Sequence, residues 1–303
     1  MKVVALAGGT GSAKLLQGLV KLPIDLTVVA NVGDNFWTYG VYVCPDVDIA
    51  CYTLAGIADR ERGWGLRGDT FEVLGELSKL GVETWFRLGD KDLATCLART
   101  RMLRRGKTLT YATGVLSRKL GVEANLLPVT DDEVETRLAT SAGDLHLQEF
   151  WVREKGLPEV ERVWYRGAKR ARVTRKVSSA LLKADRVVIC PANPVTSVGP
   201  MLAVPGFSRL LRESKRVVAL SPMSGRAPYS GPAGKLMKAA GVRAGSVGVA
   251  ELYSRFLDCI VISEEDSALS IEIGARGVKC ITSNTLIHDE NDSLRLAREL
   301  LRA

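Results

Sequence analysis

Histidine is nearly absent from this 303-residue chain, which contains only His146 and His288. Two histidines disfavour a Ser-His-Asp device and also a histidine-rich metal centre. Any chemistry must then depend on carboxylates, lysine and backbone amides.

Paired cysteines and long apolar runs are also missing. None of the six cysteines forms a CxxC pair, and several lie in strand-like apolar runs such as "VVICP", so we expect reduced core residues. No apolar run reaches the roughly 18 residues of a membrane span. The first residues, "MKVVALAGG", are interrupted by glycine too early for a signal peptide. We therefore expect a cytoplasmic protein that does not enter a membrane.

The net charge of +8 depends partly on two basic clusters, at residues 99–107 and 165–176. Most such runs are solvated surfaces. Neither cluster has the interleaved aromatic residues of a single-strand binder. The charge therefore favours an anionic small molecule over nucleic acid.

Hydrophobic periodicity predicts an α/β fold with a Rossmann-like, doubly wound parallel sheet. "KVVALA", a glycine loop, a helix and "LTVVAN" form a βαβ unit, and four apolar strands return at 186–191, 216–222, 259–263 and 278–284. Between them, 71–120 are predicted to be helical and 125–165 to form short strands, including "NLLPVT" and "HLQEFWV". We predict a nucleotide-binding core at 1–65 and 180–303, with a smaller α+β insertion at 66–179.

The glycine loop "GGTGSAKL" favours a phosphate site. Gly9 and Gly11 match the dinucleotide fingerprint, but Lys14 replaces its third glycine, and a Walker A pattern is absent. A cation in the first turn opposes the helix dipole unless an anion lies between them. Gly9, Thr10, Gly11 and Lys14 are thus candidate substrate-binding residues, and a plain tight turn is the alternative.

Three aspartates follow this loop. Asn31 and Asp34 come at the end of the second strand, where ligands of open sheets bind, and Asp46 and Asp48 precede an apolar helix. Carboxylates so close to a phosphate loop would repel each other without a cation, and Mg²⁺ uses one or two carboxylates together with substrate phosphates. We predict a Mg²⁺ site at Asp34, Asp46 and Asp48; helix capping by solvent-facing acids is the alternative.

Further candidates lie in loops rich in glycine and proline. Trp64 stands between two glycines in "RGWGLRGDTF", as if to stack on a flat ligand, with Asp69 close behind. "PANPVTSVGP" and "GPAGKLM" follow or neighbour late strands. Their candidate residues for base and ribose recognition are Asn193, Ser197, Gly199 and Gly231.

Together and in this order, the motifs resemble the 2-phospho-L-lactate transferase family of coenzyme F-420 biosynthesis. The matching pieces are "GGTGSAKLL", "NVGDN", "CPDVDIACYTLAG", "RGWG", "GDKDLAT", "LQEFWVRE", "PANPVTSVGP" and "GPAGKLM", between residue 7 and about residue 237. The resemblance implies transfer of a phospholactyl or phosphoenolpyruvate-type group from a guanosine diphosphate ester to the ribityl hydroxyl of a deazaflavin, with release of GMP. It also implies Mg²⁺ and a homodimer.

By this resemblance, Asp34, Asp46 and Asp48 lie at the metal and reaction centre, and 193–200 and 231–235 lie on the guanosine side. The chain departs from the family pattern at Asn35, Ile49, Cys96 and Ala192, where Asp, Thr, His and Ser are usual or frequent. Asn35 removes one possible metal ligand.

Two other functions remain open. A nucleotide-sugar-binding regulator of the same superfamily would share the glycine loop and the "NxGD" segment, although it would lack "RGWG" and "LQEFWVRE". An NAD(P)-dependent reductase is disfavoured by Lys14 and by the lack of a ribose-binding acid in the usual place after the second strand.

The basic clusters generate a prediction about nucleic acid. We expect no salt-sensitive binding of duplex DNA, because the charge is assigned to surfaces and a small anionic ligand. Fluorescence anisotropy with a labelled duplex at several salt concentrations measures this. Micromolar affinity with a steep salt slope would contradict the assignment.

Overall fold

The structure, a computed structural model, describes residues 1–224, 227–228 and 233–303. The chain begins with β1 (Lys2–Ala7), α1 (Gly9–Leu19), β2 (Asp25–Ala30), β3 (Phe36–Thr38), β4 (Val41–Val43), α2 (Pro45–Leu54), α3 (Glu72–Lys79), α4 (Asp90–Arg104), α5 (Leu109–Lys119) and β5 (Asn125–Pro128). The next segment contains β6 (Glu135–Thr140), β7 (Gly143–His146), a π-helical turn (Glu149–Arg153), β8 (Val160–Arg166), a 3₁₀ turn (Ala168–Arg170) and α6 (Arg175–Lys183).

The C-terminal part returns to the alternation of strands and helices. It contains β9 (Arg186–Ile189), a second π-helical turn (Pro194–Val198), α7 (Gly199–Ala203), α8 (Phe207–Glu213), β10 (Val217–Leu220), β11 (Met223–Ser224), β12 (Ala227–Pro228), α9 (Ala233–Ala239), α10 (Ser246–Tyr253), β13 (Cys259–Ser263), a 3₁₀ turn (Glu264–Leu269), α11 (Ser270–Gly274), β14 (Lys279–Ser283) and α12 (Glu290–Arg302).

Seven strands form one parallel sheet in the order β14-β13-β10-β9-β1-β2-β5. The central strands are buried on both faces because they are continuous runs of valine, isoleucine, leucine and alanine. The chain first builds outward from β1 through β2 to β5, then returns to β9 on the other side of β1. This reversal creates a crevice at the carboxyl ends of β1 and β9, where ligands of such sheets bind. The predicted doubly wound α/β fold is confirmed.

One sheet strand comes from the range assigned to the insertion. β5 pairs with β2 through Thr27 and Asn125, and it lies at the sheet edge. A parallel pair needs a long crossover, and α2 to α5 supply it, so the short "NLLP" run can join the core. This run lies within the range 66–179 that is predicted to form the insertion. The domain boundaries themselves stay a prediction, although the range 66–179 contributes to the sheet.

The predicted strand "HLQEFWV" is wrong beyond its first residue. Residues 149–153 form a π-helical turn, in which the Glu149 carbonyl accepts a hydrogen bond from the Glu154 amide at 2.9 Å. The Glu149 carboxylate accepts another from the His146 amide at 2.7 Å, and Phe150 is fully buried beneath the turn. A local side-chain bond and one aromatic anchor therefore override the extended pattern.

All six cysteines are free thiols, and five of them are buried, as expected. Within the described parts of the chain, no helix is both long and apolar enough to cross a bilayer.

Gly199 joins the small antiparallel sheet, β7-β6-β8, to the core. A Cβ atom at Gly199 would lie 2.0 Å from the Tyr165 hydroxyl, which donates a hydrogen bond to the Val195 carbonyl at 2.6 Å. The absence of a side chain at Gly199 thus lets β8 reach the turn that follows β9.

We predict that Gly199→Ala destabilises the protein by about 1–3 kcal/mol, because the new methyl group displaces Tyr165. Gly114→Ala in α5 is the matched control. Nothing lies within 4 Å of its new Cβ atom, so helix propensity should stabilise the protein by about 0.5–1 kcal/mol. Denaturant unfolding measures both changes. Equal stabilities of the two variants would contradict this account of the junction.

Candidate active site

A cleft of about 650 Å³ opens at the carboxyl ends of the strands around the switch point. Its wall is assembled from the glycine loop, the start of α2, the loop at 63–65, the insertion segments 86–87 and 147–152, the residues after β9 and the loop at 285–288. The edge predicted from the sequence is therefore the edge where the cleft lies.

The glycine loop passes directly from β1 into α1. A Cβ atom at Gly11 would lie 2.2 Å from the Pro191 carbonyl oxygen, so only glycine permits the ends of β1 and β9 to approach this closely. The buried Ser12 hydroxyl accepts a hydrogen bond from the Gly8 amide at 2.9 Å and donates to the Gly8 carbonyl at 2.8 Å. Gly9, Thr10, Gly11 and Lys14 all line the cleft. The first turn of α1 thus presents N–H groups without intrahelical partners to a ligand.

Asn31, at the end of β2, lies beneath the cleft and is fully buried. Its Nδ2 atom lies 2.9 Å from Asp34 Oδ1, 2.9 Å from Asp46 Oδ2 and 3.1 Å from the Thr196 carbonyl oxygen. Its Oδ1 atom accepts a hydrogen bond from the Gly33 amide at 2.9 Å. One carboxamide therefore ties together two carboxylates and the turn after β9.

Asp34 and Asp46 form a buried pair of like charges. Gly9 N–H donates to Asp46 at 2.7 Å, and Gln148 Nε2 donates to Asp34 at 3.1 Å. Burial, and then the Asp46 carboxylate, hold the pKa of Asp34 well above its usual value. Burial raises the pKa of Asp46 to about 6, against the hydrogen bonds from Asn31 and Gly9.

Such a pair fits a hard divalent cation. The carboxylate oxygens are directed by amide donors, and no arginine or lysine of the described residues forms an ion pair with them. A cation beside them would relieve both the repulsion and the burial penalty. Two carboxylates with the remaining positions left to phosphate and water are the ligand set that Mg²⁺ accepts.

Asp48 does not join this pair. It forms a buried ion pair with Arg99 of α4, whose guanidinium also donates to the Tyr42 carbonyl at 3.2 Å. Asp46 and Asp48 are both in the first turns of α2, and residues two apart on a helix do not face each other. The predicted site groups three aspartates around one cation, whereas the structure brings together Asp34 and Asp46 and places Asp48 with Arg99.

A second acidic group lies behind Asp48. One ligand atom from each of Asp48, Asp92 and Cys96 lies within 4.8 Å of the others. Arg99 already neutralises Asp48, and burial holds the pKa of the Cys96 thiol well above its usual value, which disfavours a thiolate ligand. We interpret the group as a buried ion-pair network, in which Tyr52 donates to Asp92 at 2.7 Å.

The other candidates from the sequence divide between cleft and scaffold. Trp64 and Ser197 line the cleft, and so does Asn193, whose Oδ1 accepts hydrogen bonds from the Val195 and Thr196 amides. Asp69 is part of the scaffold, because its carboxylate accepts from the Lys91 and Asp92 amides and holds the start of α4. Gly199 serves the junction described above, and Gly231 lies outside the described residues.

Sequence reasoning missed several residues that contribute to the site, namely Gln148, Arg99, Asp92, Tyr52, Arg87 and the loop at 285–288. Arg99 was counted in a basic cluster expected at the surface, yet it is only 1% exposed. Trp151 also lines the cleft, whereas Trp85 packs on Phe36 with ring centroids 5.9 Å apart. No local pattern in "HLQEF" distinguishes Gln148 from the neighbouring polar residue Glu149.

Known proteins resemble this chain over nearly its whole length. The family described as 2-phospho-L-lactate transferase CofD matches residues 3–293. A 2-phospho-L-lactate transferase of Methanosarcina acetivorans is 42% identical over 297 residues, which cover 97% of this chain and 96% of that protein. A phosphoenolpyruvate transferase of Streptomyces griseus is 38% identical over 310 residues, with 99% of this chain and 98% of that protein covered.

A solved structure shows the same fold. The crystal structure of a UPF0052-family protein from Bacillus halodurans superposes with a TM-score of 0.67 at 17% identity, over 99% of this chain and 98% of that chain. At this identity the likeness concerns the fold alone.

The Asp92 environment generates a prediction about pH. Burial, and then the Asp48 carboxylate, raise the pKa of Asp92 to about 7. The folded protein therefore keeps a proton that the unfolded chain releases. This contribution to stability is complete below the usual value near 4 and is lost as the pH rises through about 7.

We expect the unfolding free energy of Asp92→Asn to fall less between pH 5 and pH 8 than that of the unsubstituted protein. The difference should not exceed about 1.4 kcal/mol per pH unit, the limit for one proton. Denaturant unfolding in EDTA at each pH measures it. Parallel pH dependences of the two proteins would show that Asp92 is ionised throughout.

Proposed function

The chain belongs to the 2-phospho-L-lactate transferase CofD family, and from that premise we propose the reaction that its cleft performs. It transfers a phospho-acyl group from a guanosine diphosphate ester to the ribityl hydroxyl of 7,8-didemethyl-8-hydroxy-5-deazariboflavin and releases GMP. The reaction belongs to coenzyme F-420 biosynthesis and uses Mg²⁺. The transferred group is 2-phospho-L-lactate or its phosphoenolpyruvate analogue, as the names of the two kinds of relatives suggest.

The observation that carries the proposal is the contact between the glycine loop and the carboxylate pair. The Gly9 amide donates to Asp46, and Asn31 binds Asp46 and Asp34 at once, so acids and helix N-terminus share one wall of the cleft. A phosphoryl-transfer site needs this combination: N–H groups for phosphate oxygens and a carboxylate for the attacking hydroxyl.

The proposed step balances without a covalent enzyme intermediate. The ribityl oxygen attacks the phosphorus that bears the three-carbon acid, a new P–O bond forms, and the P–O bond to GMP breaks. The hydroxyl proton passes to a carboxylate, for which Asp34 is the candidate because its orientation is set by Asn31 and Gln148. The first turn of α1 and Lys14 bind the diphosphate. Positioning and charge neutralisation thus supply the rate enhancement.

Asp34 and Asp46 would hold Mg²⁺ in this proposal. When bound, the ion neutralises charge on the diphosphate during transfer. Asp48 also lines the cleft, but its charge is matched by Arg99, so it is not assigned to the ion.

The acceptor is planar and largely apolar, and the cleft offers it an apolar wall. Ile49 and Tyr52 from α2 face the cleft together with Leu147, Trp151 and Val152 from the insertion. Trp64 lines the cleft too, and its ring makes an edge contact with Phe71 at 6.1 Å between centroids. Stacking of the deazaflavin on Trp64 stays a prediction, as do the guanosine roles of Asn193 and Ser197 and the homodimer.

The test is turnover with defined substrates. The protein is incubated with the deazaflavin, Mg²⁺ and either the phospholactyl or the phosphoenolpyruvyl ester of GMP, and the product is identified by mass. We expect a phosphodiester and GMP. Asp34→Asn and Asp46→Asn should each lower turnover by roughly tenfold or more, about 1.4 kcal/mol of barrier for each factor of ten.

Two further measurements separate chemistry from folding. Without ligand, both variants should keep or raise the melting temperature, because one of two repelling charges is removed. Calorimetry should show weaker Mg²⁺ binding. Asp25→Asn, on the exposed first residue of β2, is the matched control and should leave turnover and Mg²⁺ binding unchanged. If both site variants keep full activity, the two carboxylates have only a structural role as helix or loop caps.

Binding of a nucleotide sugar without any product from either ester would instead support the regulatory alternative. Titration of tryptophan fluorescence with the nucleotide sugar and with the deazaflavin distinguishes the regulator from the transferase. Quenching by the nucleotide sugar but not by the deazaflavin would support the regulator.

A further inference from the structure

A buried histidine lies at the start of the segment that reaches Asp34. His146 is the last residue of β7 and is only 5% exposed. Its Nδ1 atom accepts a hydrogen bond from the Gln148 amide at 3.1 Å, and its own amide donates to the Glu149 carboxylate at 2.7 Å. This reciprocal pattern is that of a helix capping box, with histidine in the place where serine or threonine is usual.

The capping box fixes the backbone from which the Gln148 side chain extends. Gln148 lies immediately before the π-helical turn, and its Nε2 atom donates to Asp34 Oδ2 at 3.1 Å. A glutamine side chain has several rotatable bonds, so its carboxamide holds a carboxylate in one direction only if the backbone beneath it is held as well. The bond from the Gln148 amide to His146 supplies that restraint.

The imidazole is kept in the state that can accept this bond. Burial lowers the pKa of His146, and so does the Arg137 guanidinium, against the opposing effects of the Glu135 and Glu149 carboxylates and of the Asn35 backbone. A neutral ring that carries its proton on Nε2 leaves Nδ1 as an acceptor.

The ring also has a packing role, which an experiment must separate from the hydrogen bond. It lies against Phe36, with ring centroids 5.3 Å apart, and Phe36 begins the strand that follows Asp34. His146 therefore contacts the segment of Asp34 through its ring and the partner of Asp34 through Nδ1.

We propose that His146 is a positioning residue of the active site: through the Gln148 amide, it orients the carboxamide that holds Asp34 Oδ2. This inference rests on the proposed function, in which Asp34 takes the proton of the attacking hydroxyl. Asn31 binds the other oxygen, Oδ1, at 2.9 Å, so both oxygens have a fixed donor. Without Gln148 the carboxylate is free to turn, which lowers the rate of proton transfer more than the binding of the donor.

Two substitutions at His146 separate positioning from packing. Asparagine restores an acceptor that reaches the amide two residues later, but it removes the ring from Phe36. Leucine keeps a bulky apolar side chain against Phe36 and offers no acceptor. Steady-state kinetics with the GMP ester, the deazaflavin and Mg²⁺ should show that His146→Leu lowers kcat by about tenfold, with a much smaller change in the KM of the donor. His146→Asn should keep most of the wild-type kcat.

Denaturant unfolding of the same variants gives a readout apart from activity. His146→Asn should be the less stable of the two, because it loses the apolar contact with Phe36. A purely structural role predicts the opposite order of activities, since activity would then follow stability.

A double-mutant cycle tests whether His146 acts through Gln148. Gln148→Met keeps the length of the side chain without its donor, so it should lower kcat as much as His146→Leu does. The double variant should be no slower than either single variant, because both remove the same restraint. Glu161→Gln, at an exposed position of β8, is the control and should leave kcat unchanged.

The outcomes are separable. Unchanged kcat in His146→Leu, a slower His146→Asn than His146→Leu, or additive losses in the cycle overturns the positioning role. If His146→Leu does not fold, His146→Ala and His146→Asn decide, because both lack the ring and only asparagine has the acceptor; equal kcat values overturn the proposal. A wild-type protein that forms no product from either ester overturns the proposed function itself, and the positioning role with it.

Discussion

The Asn31 carboxamide is the interaction on which the site depends. It is fully buried at the end of β2, and it binds the loop that follows this strand, the start of α2 and the turn after β9. Buried carboxylates are costly unless hydrogen-bonded, and here one donor group serves two of them. The sheet therefore sets the geometry of the carboxylate pair, because the pairing of β2 with β1 fixes the position of Asn31. A site built in this way is as rigid as the core beneath it.

The charged side chains around Asn31 differ in whether they have a partner of opposite charge. At the cleft wall, Asp48 is neutralised by the buried Arg99, and the pair links α2 to α4. Removing one partner of such a buried pair costs about 3–5 kcal/mol, because the other charge is left without compensation. Toward the cleft, Asp34 and Asp46 face each other, while Lys14 and Arg87 have no carboxylate partner in the described structure. Structural charges are thus paired within the protein, and the unpaired ones are those that a metal ion and an anionic ligand can reach.

The core and the inserted segment make different contributions. The parallel sheet supplies the glycine loop and the carboxylate pair, as expected for a doubly wound fold with its crevice at the switch point. The insertion adds Gln148, which donates to Asp34, and the π-helical turn that places Trp151 in the cleft wall. Because Gln148 and the aromatic wall belong to one short segment, a ligand packed against that wall would also restrain Asp34. A ligand contact and the orientation of the Asp34 carboxylate are then linked by a few residues of one segment.

The sequence by itself determined the sheet and the location of the site. Continuous apolar strands, a glycine loop and polar residues at strand ends are local signals, and they suffice here because strands buried on both faces read as short continuous apolar runs bounded by turn residues. Local signals also indicated that Asn31, Asp34 and Asp46 lie at this edge, since all three follow or face strand ends, and the structure has them together there. They did not indicate that Asp48 points away from this pair toward Arg99, since two positions along a helix reverse the direction of a side chain. They failed for Arg99 and Gln148, whose partners lie 51 and 114 residues away in the chain. Which acid meets a cation, which arginine is buried and which amide reaches Asp34 were decided only by the packing of α4 and the insertion against the core, and no local pattern records such contacts.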